Sequence, residues 1–197
     1  MSKQTADVRV RVAWPADTPA VARVQVRAWR QVYASVLPRE VLDALDEEAI
    51  AQQWRLSLLR PPDARHRLLV AFEGDQLVGY AATGPADDPD ADPIADGAIN
   101  ALHVDPDYTG RGHGSRLLQA CADTLVADGF RRAVTWLVST DDVLRRFLSE
   151  AGWAPDGAFR ELDLYGDGAV RVKQVRLHCA LPEPDPEGDP QGDTTDS

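Results

Sequence analysis

The sequence contains no run of about 18 consecutive apolar residues, which excludes a transmembrane helix of ordinary length. Residues 1–8 lack the apolar stretch of a secretory signal, so we expect a cytoplasmic protein without a membrane partner. Cysteine is scarce, since Cys121 and Cys179 are the only two. They lie far apart on predicted interior faces, and this spacing favours two reduced core thiols over a disulfide.

Basic residues are absent from two acidic segments, residues 85–96 and residues 181–197. The first segment contains five acidic residues and the second contains six, which together account for the whole net charge of −11. Because the rest of the chain is formally neutral, we expect no nucleic-acid partner. The tail, residues 181–197, is acidic and rich in proline and is expected to be disordered. Residues 1–180 are then expected to form a single domain.

The hydropathy pattern predicts helices and strands in alternating groups. Period-two alternation and short apolar runs predict strands at 7–13, 67–72, 76–82, 98–104, 133–138, 158–165 and 170–179. Helical spacing predicts helices at 18–34, 47–59, 115–127 and 141–151, with N-caps at Asp17 and at Thr140 or Asp141. This order predicts an α/β (α+β) fold in which a mixed sheet has helices on both faces.

The clearest chemical signal lies in residues 104–115, where glycine occupies the alternate positions 110, 112 and 114. Glycine allows a positive φ and a close approach of the backbone to a ligand. A loop that enters a helix also presents several unpaired N–H groups and the positive end of the helix dipole. The pattern therefore predicts a phosphate site, or else a plain glycine-rich turn. The spacing of these glycines does not match the Gly-x-Gly-x-x-Gly motif of dinucleotide-binding folds. The chain also lacks the Gly-Lys pair that a nucleotide-binding P-loop requires.

The sequence Val104-Asp105-Pro106, with the glycine triplet starting four residues after the proline, resembles the signature of the GNAT acetyltransferase superfamily. Residues 28–38 resemble the first-helix region of a bacterial branch of that family, and residues 147–153 resemble its last helix. The order of elements over residues 7–180 resembles the whole fold. The resemblance implies a mixed, mostly antiparallel central sheet with a splayed central strand.

The resemblance also implies transfer of the acetyl group of acetyl-coenzyme A, without a metal, to an amine of a small molecule or a protein. It assigns the coenzyme to the parted strand, the glycine loop and the start of the last helix: Leu102, His103, Val104, Thr109, Gly110, Arg111, Gly112, His113, Gly114, Ser115 and Asp141. Thr109 departs from the family, which usually has Arg or Gln there. Trp29 and Tyr33 are predicted either to line the acceptor pocket or to belong to the core. A homodimer is one open alternative for the assembly.

The acid–base positions of many relatives are occupied here by Ala98 and Leu148, which cannot carry a proton. Three alternatives follow. The coenzyme thiol, with a pKa of about 8.5 by analogy with cysteine, leaves unaided. His103 serves as the base, unless it is an ordinary strand residue. The site binds an acyl-coenzyme A as a sensor without turnover. Transfer of a longer acyl chain is a separate alternative for the reaction.

Two further side-chain roles stay open in the sequence. His113 is predicted either to contact phosphate or to be an exposed loop imidazole. The acidic residues around Asp96 are predicted either to attract a cationic amine or to form a solvated loop.

Overall fold

The computed structural model describes residues 7–163 and 170–183, and within them seven strands form one sheet. From one edge of the sheet to the other, hydrogen-bonded neighbours follow the order β1-β2-β3-β4-β5-β7-β6. Their bounds are Val8–Val12 (β1), Arg67–Glu73 (β2), Gln76–Pro85 (β3), Asp96–Val104 (β4), Arg132–Val138 (β5), Ala154–Asp163 (β6) and Arg171–Ala180 (β7). Neighbouring strands are antiparallel except β4 and β5, which are parallel. The predicted mixed, mostly antiparallel sheet is confirmed.

Helices cover both faces of this sheet. Their bounds are Thr18–Val32 (α1), Arg39–Asp43 (α2), Glu47–Leu59 (α3), His113–Ala127 (α4) and Asp142–Glu150 (α5). Because successive side chains of a strand point to opposite faces, β2 contributes alternately to two cores. Val70 packs in the core beneath α1, with Val21, whereas Leu69 packs in the core beneath α4, with Leu117. The predicted layering, with helices on both faces, is confirmed.

The central strands β4 and β5 part halfway along their length. They pair only from Asp96 opposite Arg132 to Ile99 opposite Thr135, where the Thr135 hydroxyl donates to the Ile99 carbonyl at 2.8 Å. Beyond this point residues 101–104 of β4 pair with β3, and β5 pairs with β7. The predicted splayed central strand is confirmed, and the opening between the two arms holds the candidate site.

The element bounds depart most from prediction at β6 and α2, with smaller differences where β3 ends at Pro85, β4 begins at Asp96 and α4 begins at His113. Strand β6 begins at Ala154 rather than at residue 158, because Gly157, with φ +90°, allows a register shift between Pro155 and Phe159. Helix α2 is absent from the predicted elements, since five residues after Pro38 are too few for a periodic pattern.

Asp17 is the N-cap residue of α1, as predicted, but its side chain accepts no hydrogen bond from the first turn of that helix. The Asp17 carboxylate instead accepts hydrogen bonds from the Trp14 N–H at 2.6 Å and from the Arg11 guanidinium at 2.7 and 3.0 Å. These bonds hold the turn that precedes the helix. An ion pair from β1 therefore fixes the start of α1 at the same residue that the sequence pattern indicates.

Other sequence expectations have mixed outcomes. Cys121 is buried, Cys179 is half-buried and both are free thiols, as predicted. Across residues 7–163 and 170–183, the helices are too short or too polar to cross a bilayer. The predicted disordered tail falls mostly on residues 184–197, which lie outside the described residues, as does the turn between β6 and β7 at 164–169. The single-domain assignment of residues 1–180 stays a prediction.

Candidate active site

The loop between β4 and α4 adopts backbone conformations that favour glycine at two positions. Gly110 has φ +73° and Gly112 has φ +83°, and Gly112 is the N-cap of α4. Asp105 supports the loop, since its carboxylate accepts the Asp107 N–H at 3.0 Å and lies 3.0 Å from the Arg27 guanidinium. The glycines are therefore required by the turn itself, and a carboxylate anchored to α1 holds the turn in place.

The main-chain N–H groups of residues 110–115 donate to no main-chain carbonyl among the described residues. The first such bond at this helix end runs from the Arg116 N–H to the Gly112 carbonyl at 3.2 Å. The N-terminus of α4 therefore presents unpaired donors together with the positive end of its dipole. This is the arrangement that binds phosphate at helix N-termini.

Three side chains of the loop point away from this cradle of N–H groups. The Arg111 guanidinium donates to Glu73 at 3.0 Å and to the Asp107 carbonyl at 3.1 Å. The His113 ring is 1% exposed and its Nε2 lies 2.7 Å from Glu73 Oε2. The Thr109 hydroxyl donates to the Pro106 carbonyl at 3.1 Å. The interpretation of His113 as an exposed imidazole is wrong, and its ring is turned to Glu73 because the carboxylate is held beneath the loop.

We expect Glu73→Gln to weaken coenzyme A binding about fivefold, since Glu73 holds the loop through both Arg111 and His113. The bond from His113, which is the larger influence, and the neighbouring Arg111 also keep the pKa of Glu73 below its ordinary value. Calorimetric titration of coenzyme A measures the effect. Asp75→Asn, in the adjacent exposed turn, is the matched control. An unchanged affinity in Glu73→Gln would show that the clamp does not shape the site.

A groove of about 680 Å³ begins at this loop and runs between α1, the end of β4 and the start of α5. Nine of the eleven residues predicted to hold the coenzyme line it: Leu102, His103, Val104, Thr109, Gly110, Gly112, Gly114, Ser115 and Asp141. Arg111 and His113 do not, because both turn toward Glu73. Helix α5 forms a wall that the sequence does not predict, where Val143 is 79% exposed and Phe147 is half-buried. The spacing of apolar residues in α5 predicts that they pack in the core, but Val143 and Phe147 line the groove.

A second cavity, of about 220 Å³, lies between the parted arms of β4 and β5. Its walls are rich in aromatic side chains: Trp29 and Tyr33 from α1, Trp54 from α3, Tyr80 from β3 and Trp136 from β5. Trp29 and Tyr33 meet edge to face at 5.6 Å between ring centroids, and Trp54 and Tyr80 do so at 5.5 Å. The two α1 aromatics thus line a cavity, as one of the two interpretations of the sequence requires; their role toward a substrate stays a prediction.

The groove and the cavity adjoin each other. Five residues line both: Val32, Leu102, His103, Asp141 and Leu144. Asp141 caps α5, since its carboxylate accepts the Leu144 N–H at 2.9 Å, as predicted. The structure therefore places a candidate phosphate cradle, an open strand edge and an aromatic cavity next to one another.

A family model described as the acetyltransferase (GNAT) family matches residues 26–153. The protein belongs to the GNAT family. The match begins in α1 and ends after α5, so it includes the splayed strands and the glycine loop. The family predicted from the signature in residues 104–115 is confirmed.

Two relatives align with the chain over most of their length. The uncharacterized N-acetyltransferase YuaI of Bacillus subtilis is 24% identical over 170 residues, which cover 86% of this chain and 91% of YuaI. Phosphinothricin N-acetyltransferase of Streptomyces coelicolor is 29% identical over 157 residues, which cover 73% of this chain and 90% of the relative. Family and relatives agree on the reaction class, which is acetyl transfer by an N-acetyltransferase.

Solved structures agree with the fold. PaiA N-acetyltransferase of Thermoplasma acidophilum, in complex with coenzyme A, matches with a TM-score of 0.67 at 15% identity, covering 89% of this chain and 99% of that chain. YncA of Salmonella typhimurium, with its cofactor acetyl-CoA, matches with a TM-score of 0.63 at 18% identity, covering 91% and 96%. The architecture is therefore that of the GNAT fold.

The GNAT site of this chain contains few ionised groups at neutral pH. Burial lowers the pKa of His103 to about 4. Burial, and then the charge of Asp141, raise the pKa of Tyr33, and burial raises the pKa of Tyr80 well above its ordinary value. His103 is therefore neutral at pH 7, and a group with so low a pKa is a weak acceptor for the proton of an ammonium. The base role of His103 stays a prediction, and its environment argues against it.

We expect the free energy of unfolding to decrease as the pH falls from about 6.5 to 4, with His103 contributing up to about 3 kcal/mol. The folded-state pKa of His103 is about 4, below the value of the unfolded chain, so the unfolded state binds the proton first. His103→Gln should remove that share of the decrease. Denaturant unfolding of both proteins at pH 7.5 and 4.5 measures it, and parallel pH dependences would contradict the assignment.

The acid–base positions of the family offer no proton here. Ala98 is 6% exposed, and Leu148 is 1% exposed and lines the aromatic cavity. The acidic loop is mostly exposed at Asp87, Asp90 and Asp92, which agrees with the solvated interpretation, whereas Asp96 is buried. Asp96 lies 3.3 Å from the Arg132 guanidinium, and Asp90 is 2.6 Å from that of Arg176. Arginines of β5 and β7 therefore compensate part of the charge of the loop.

Proposed function

We propose that the larger groove binds acetyl-coenzyme A, with the pyrophosphate at the N-terminus of α4, and that an amine enters through the aromatic cavity. The acetyl group then passes directly from the thioester to the amine where the two spaces meet. The observation that carries this proposal is that Leu102, His103 and Asp141 line both the groove and the cavity. The coenzymes named with the structures of PaiA and YncA support the same occupant.

The residues present fit this occupant. Residues 110–115 offer unpaired main-chain donors for the pyrophosphate. Residues 101–104 of β4 pair with β3 alone, so their β5-facing edge is open to the amide groups of an extended pantetheine arm. One N–H on this edge would also stabilise negative charge that develops on the thioester oxygen. Losing such a donor in other enzymes costs about 3 kcal/mol of transition-state stabilisation.

Proton transfer proceeds in our proposal without a dedicated acid. An alkyl ammonium resembles lysine, with a pKa of about 10.4 in water, and burial among aromatic side chains lowers that pKa. Asp141 lines both the groove and the cavity, and in this proposal its carboxylate accepts the proton of the ammonium, directly or through water. The thiol of coenzyme A has a pKa of about 8.5, so it leaves as the thiolate without a proton donor. The absence of a proton-donating side chain at Leu148 is therefore compatible with turnover.

Thiol release from acetyl-coenzyme A, measured with a panel of amines from pH 7 to 9, tests this function. We expect turnover that rises with pH, because the neutral amine is the nucleophile. Tight coenzyme binding with no turnover on any amine would favour a sensor, the alternative that the side chains at 98 and 148 raise. Tighter binding of a longer acyl thioester than of the acetyl form would favour a different donor. The cytoplasmic location and the homodimer stay predictions.

A further inference from the structure

The aromatic cavity has a polarity that restricts what it can bind. Among the described residues, no lysine or arginine lines it, and Asp141 is the one carboxylate that does. A carboxylate or phosphate group buried there would find no cation, and an unpaired buried charge is costly. An ammonium group would instead meet Asp141 and the faces of aromatic rings, both of which attract cations.

Two of the three indole N–H groups on the cavity wall have partners. The Trp54 N–H donates to Gln25 Oε1 at 2.6 Å, and the Trp136 N–H donates to Asp88 Oδ1 at 3.0 Å. Gln174, also on the wall, accepts from the Arg160 guanidinium at 2.8 Å. With these groups engaged, the Trp54 and Trp136 rings offer the cavity apolar surface, while Tyr33, Tyr80, Asn100 and His103 add uncharged polar groups to its wall.

Two arginines beside the Trp136 wall do not line the cavity. The Arg160 guanidinium lies 4.2 Å from the centroid of the Trp136 ring and does not line the cavity. Arg176 is 6% exposed and lies between three carboxylates, at 2.6 Å from Asp90, 2.7 Å from Asp156 and 3.5 Å from Asp88. Its charge is already compensated, so it cannot serve a carboxylate of the substrate.

From these contacts we propose that the acceptor is a primary amine on a small apolar or aromatic body, without a carboxylate or phosphate near the amine. This deepens the proposed function and rests on it, since it takes the cavity as the acceptor site. The volume of about 220 Å³ suits a body the size of one phenyl or indole ring. The proposal separates this chain from the activity named for its Streptomyces relative, because phosphinothricin carries two acidic groups.

Three ligands of similar shape test the proposal: phenethylamine, L-phenylalaninamide and L-phenylalanine. We expect kcat/KM for the first two to exceed that for phenylalanine at least about 30-fold, because only phenylalanine brings a carboxylate. Phenylalaninamide controls for the size of the extra group. Equal or better turnover of phenylalanine, or of phosphinothricin, would overturn the proposal while leaving acetyl transfer intact.

Binding to the coenzyme A-saturated protein separates the two levels of inference. Trp29, Trp54 and Trp136 line the cavity, so amine binding should change the tryptophan fluorescence. The same order of affinities without turnover would sustain the acceptor class and contradict the transfer function. Failure of all three ligands to bind would overturn the acceptor class.

A variant that supplies the missing cation provides the converse test. Asn100 lines the cavity and is exposed, so Asn100→Arg has room for its side chain. We expect this variant to lower the preference for phenylalaninamide over phenylalanine at least about fivefold. An unchanged preference in a variant that still binds coenzyme A would contradict the charge argument.

Discussion

Gly112→Asp is expected to raise the Kd for coenzyme A about 1000-fold while the protein remains folded. The new carboxylate would stand at the N-cap of α4 and accept the N–H groups that the pyrophosphate needs. Loss of two charge-assisted hydrogen bonds, at about 2 kcal/mol each, corresponds to that change in Kd. The fold should survive, because the strain of a side chain at φ +83° is offset by the new cap. A Cβ added at residue 112 would meet only the flexible end of Arg116, at 2.8 Å.

Gly129→Asp is the matched control for this substitution. Gly129 follows the other end of α4, has φ +89° and has no atom within 4 Å of an added Cβ. It therefore carries the same backbone strain and the same new charge without touching the groove, and coenzyme affinity should be unchanged. Calorimetry measures both variants, and thermal unfolding checks that both are folded. An affinity of Gly112→Asp within about threefold of the native value would exclude this loop as the pyrophosphate site.

Arg176→Met is expected to lower the free energy of unfolding by about 3 kcal/mol at pH 7.5. The substitution keeps much of the side-chain volume but leaves Asp88, Asp90 and Asp156 close together without their shared cation. Removing one partner of a buried ion pair costs this much because the remaining charges of Asp88 and Asp156 stay desolvated, although Asp90 is exposed. The Trp136 wall should also loosen, since Asp88 accepts its N–H.

The effect of Arg176→Met should shrink at low pH. Hydrogen bonding to Arg176 lowers the pKa of Asp90 to about 2, and the pKa of Asp156 is also lowered despite its burial, by hydrogen bonds from the Ala158 N–H and Arg176. Their stabilisation is present above the unfolded-state pKa of about 4 and is lost as the pH falls toward 2. The variant lacks that contribution, so native and variant stabilities converge. Denaturant unfolding at pH 7.5 and 3 measures the convergence.

Arg171→Met, on the same strand, is the control for the loss of charge. Arg171 is exposed and its contact with Glu161 is 3.7 Å, so its removal should have little effect. Equal losses of stability in the two variants, or a pH-independent loss in Arg176→Met, would contradict the assigned role of the cluster.

The features that the sequence predicts correctly are those whose causes are local in the chain. Positive φ at Gly110 and Gly112 follows from the absence of a Cβ, and the bounds of α3, residues 47–59, follow from apolar spacing and the Asp46 cap. The predicted strand β6 is four residues short, because Pro155 and Gly157 are typical of a loop and here they form a bulge within the strand.

The features that the sequence does not predict depend on sheet register. The Glu73–His113 contact joins residues 40 apart, and the Arg176–Asp90 pair joins residues 86 apart. Neither partner is identifiable until β2 is placed beside the glycine loop and β7 beneath the acidic loop. For the same reason the sequence indicates a coenzyme loop but not the charge of the acceptor cavity, to which six separate elements contribute aromatic or polar walls.

A crystal structure of the acetyl-coenzyme A complex would decide whether the N-terminus of α4 binds the pyrophosphate. The quantities to measure are the distances from the pyrophosphate oxygens to the main-chain nitrogens of residues 110–115. We predict several N···O distances of about 2.7 to 3.2 Å, with the acetyl group beside Leu102 and His103. A pyrophosphate bound elsewhere, with those nitrogens contacting only solvent, would contradict the proposed coenzyme site.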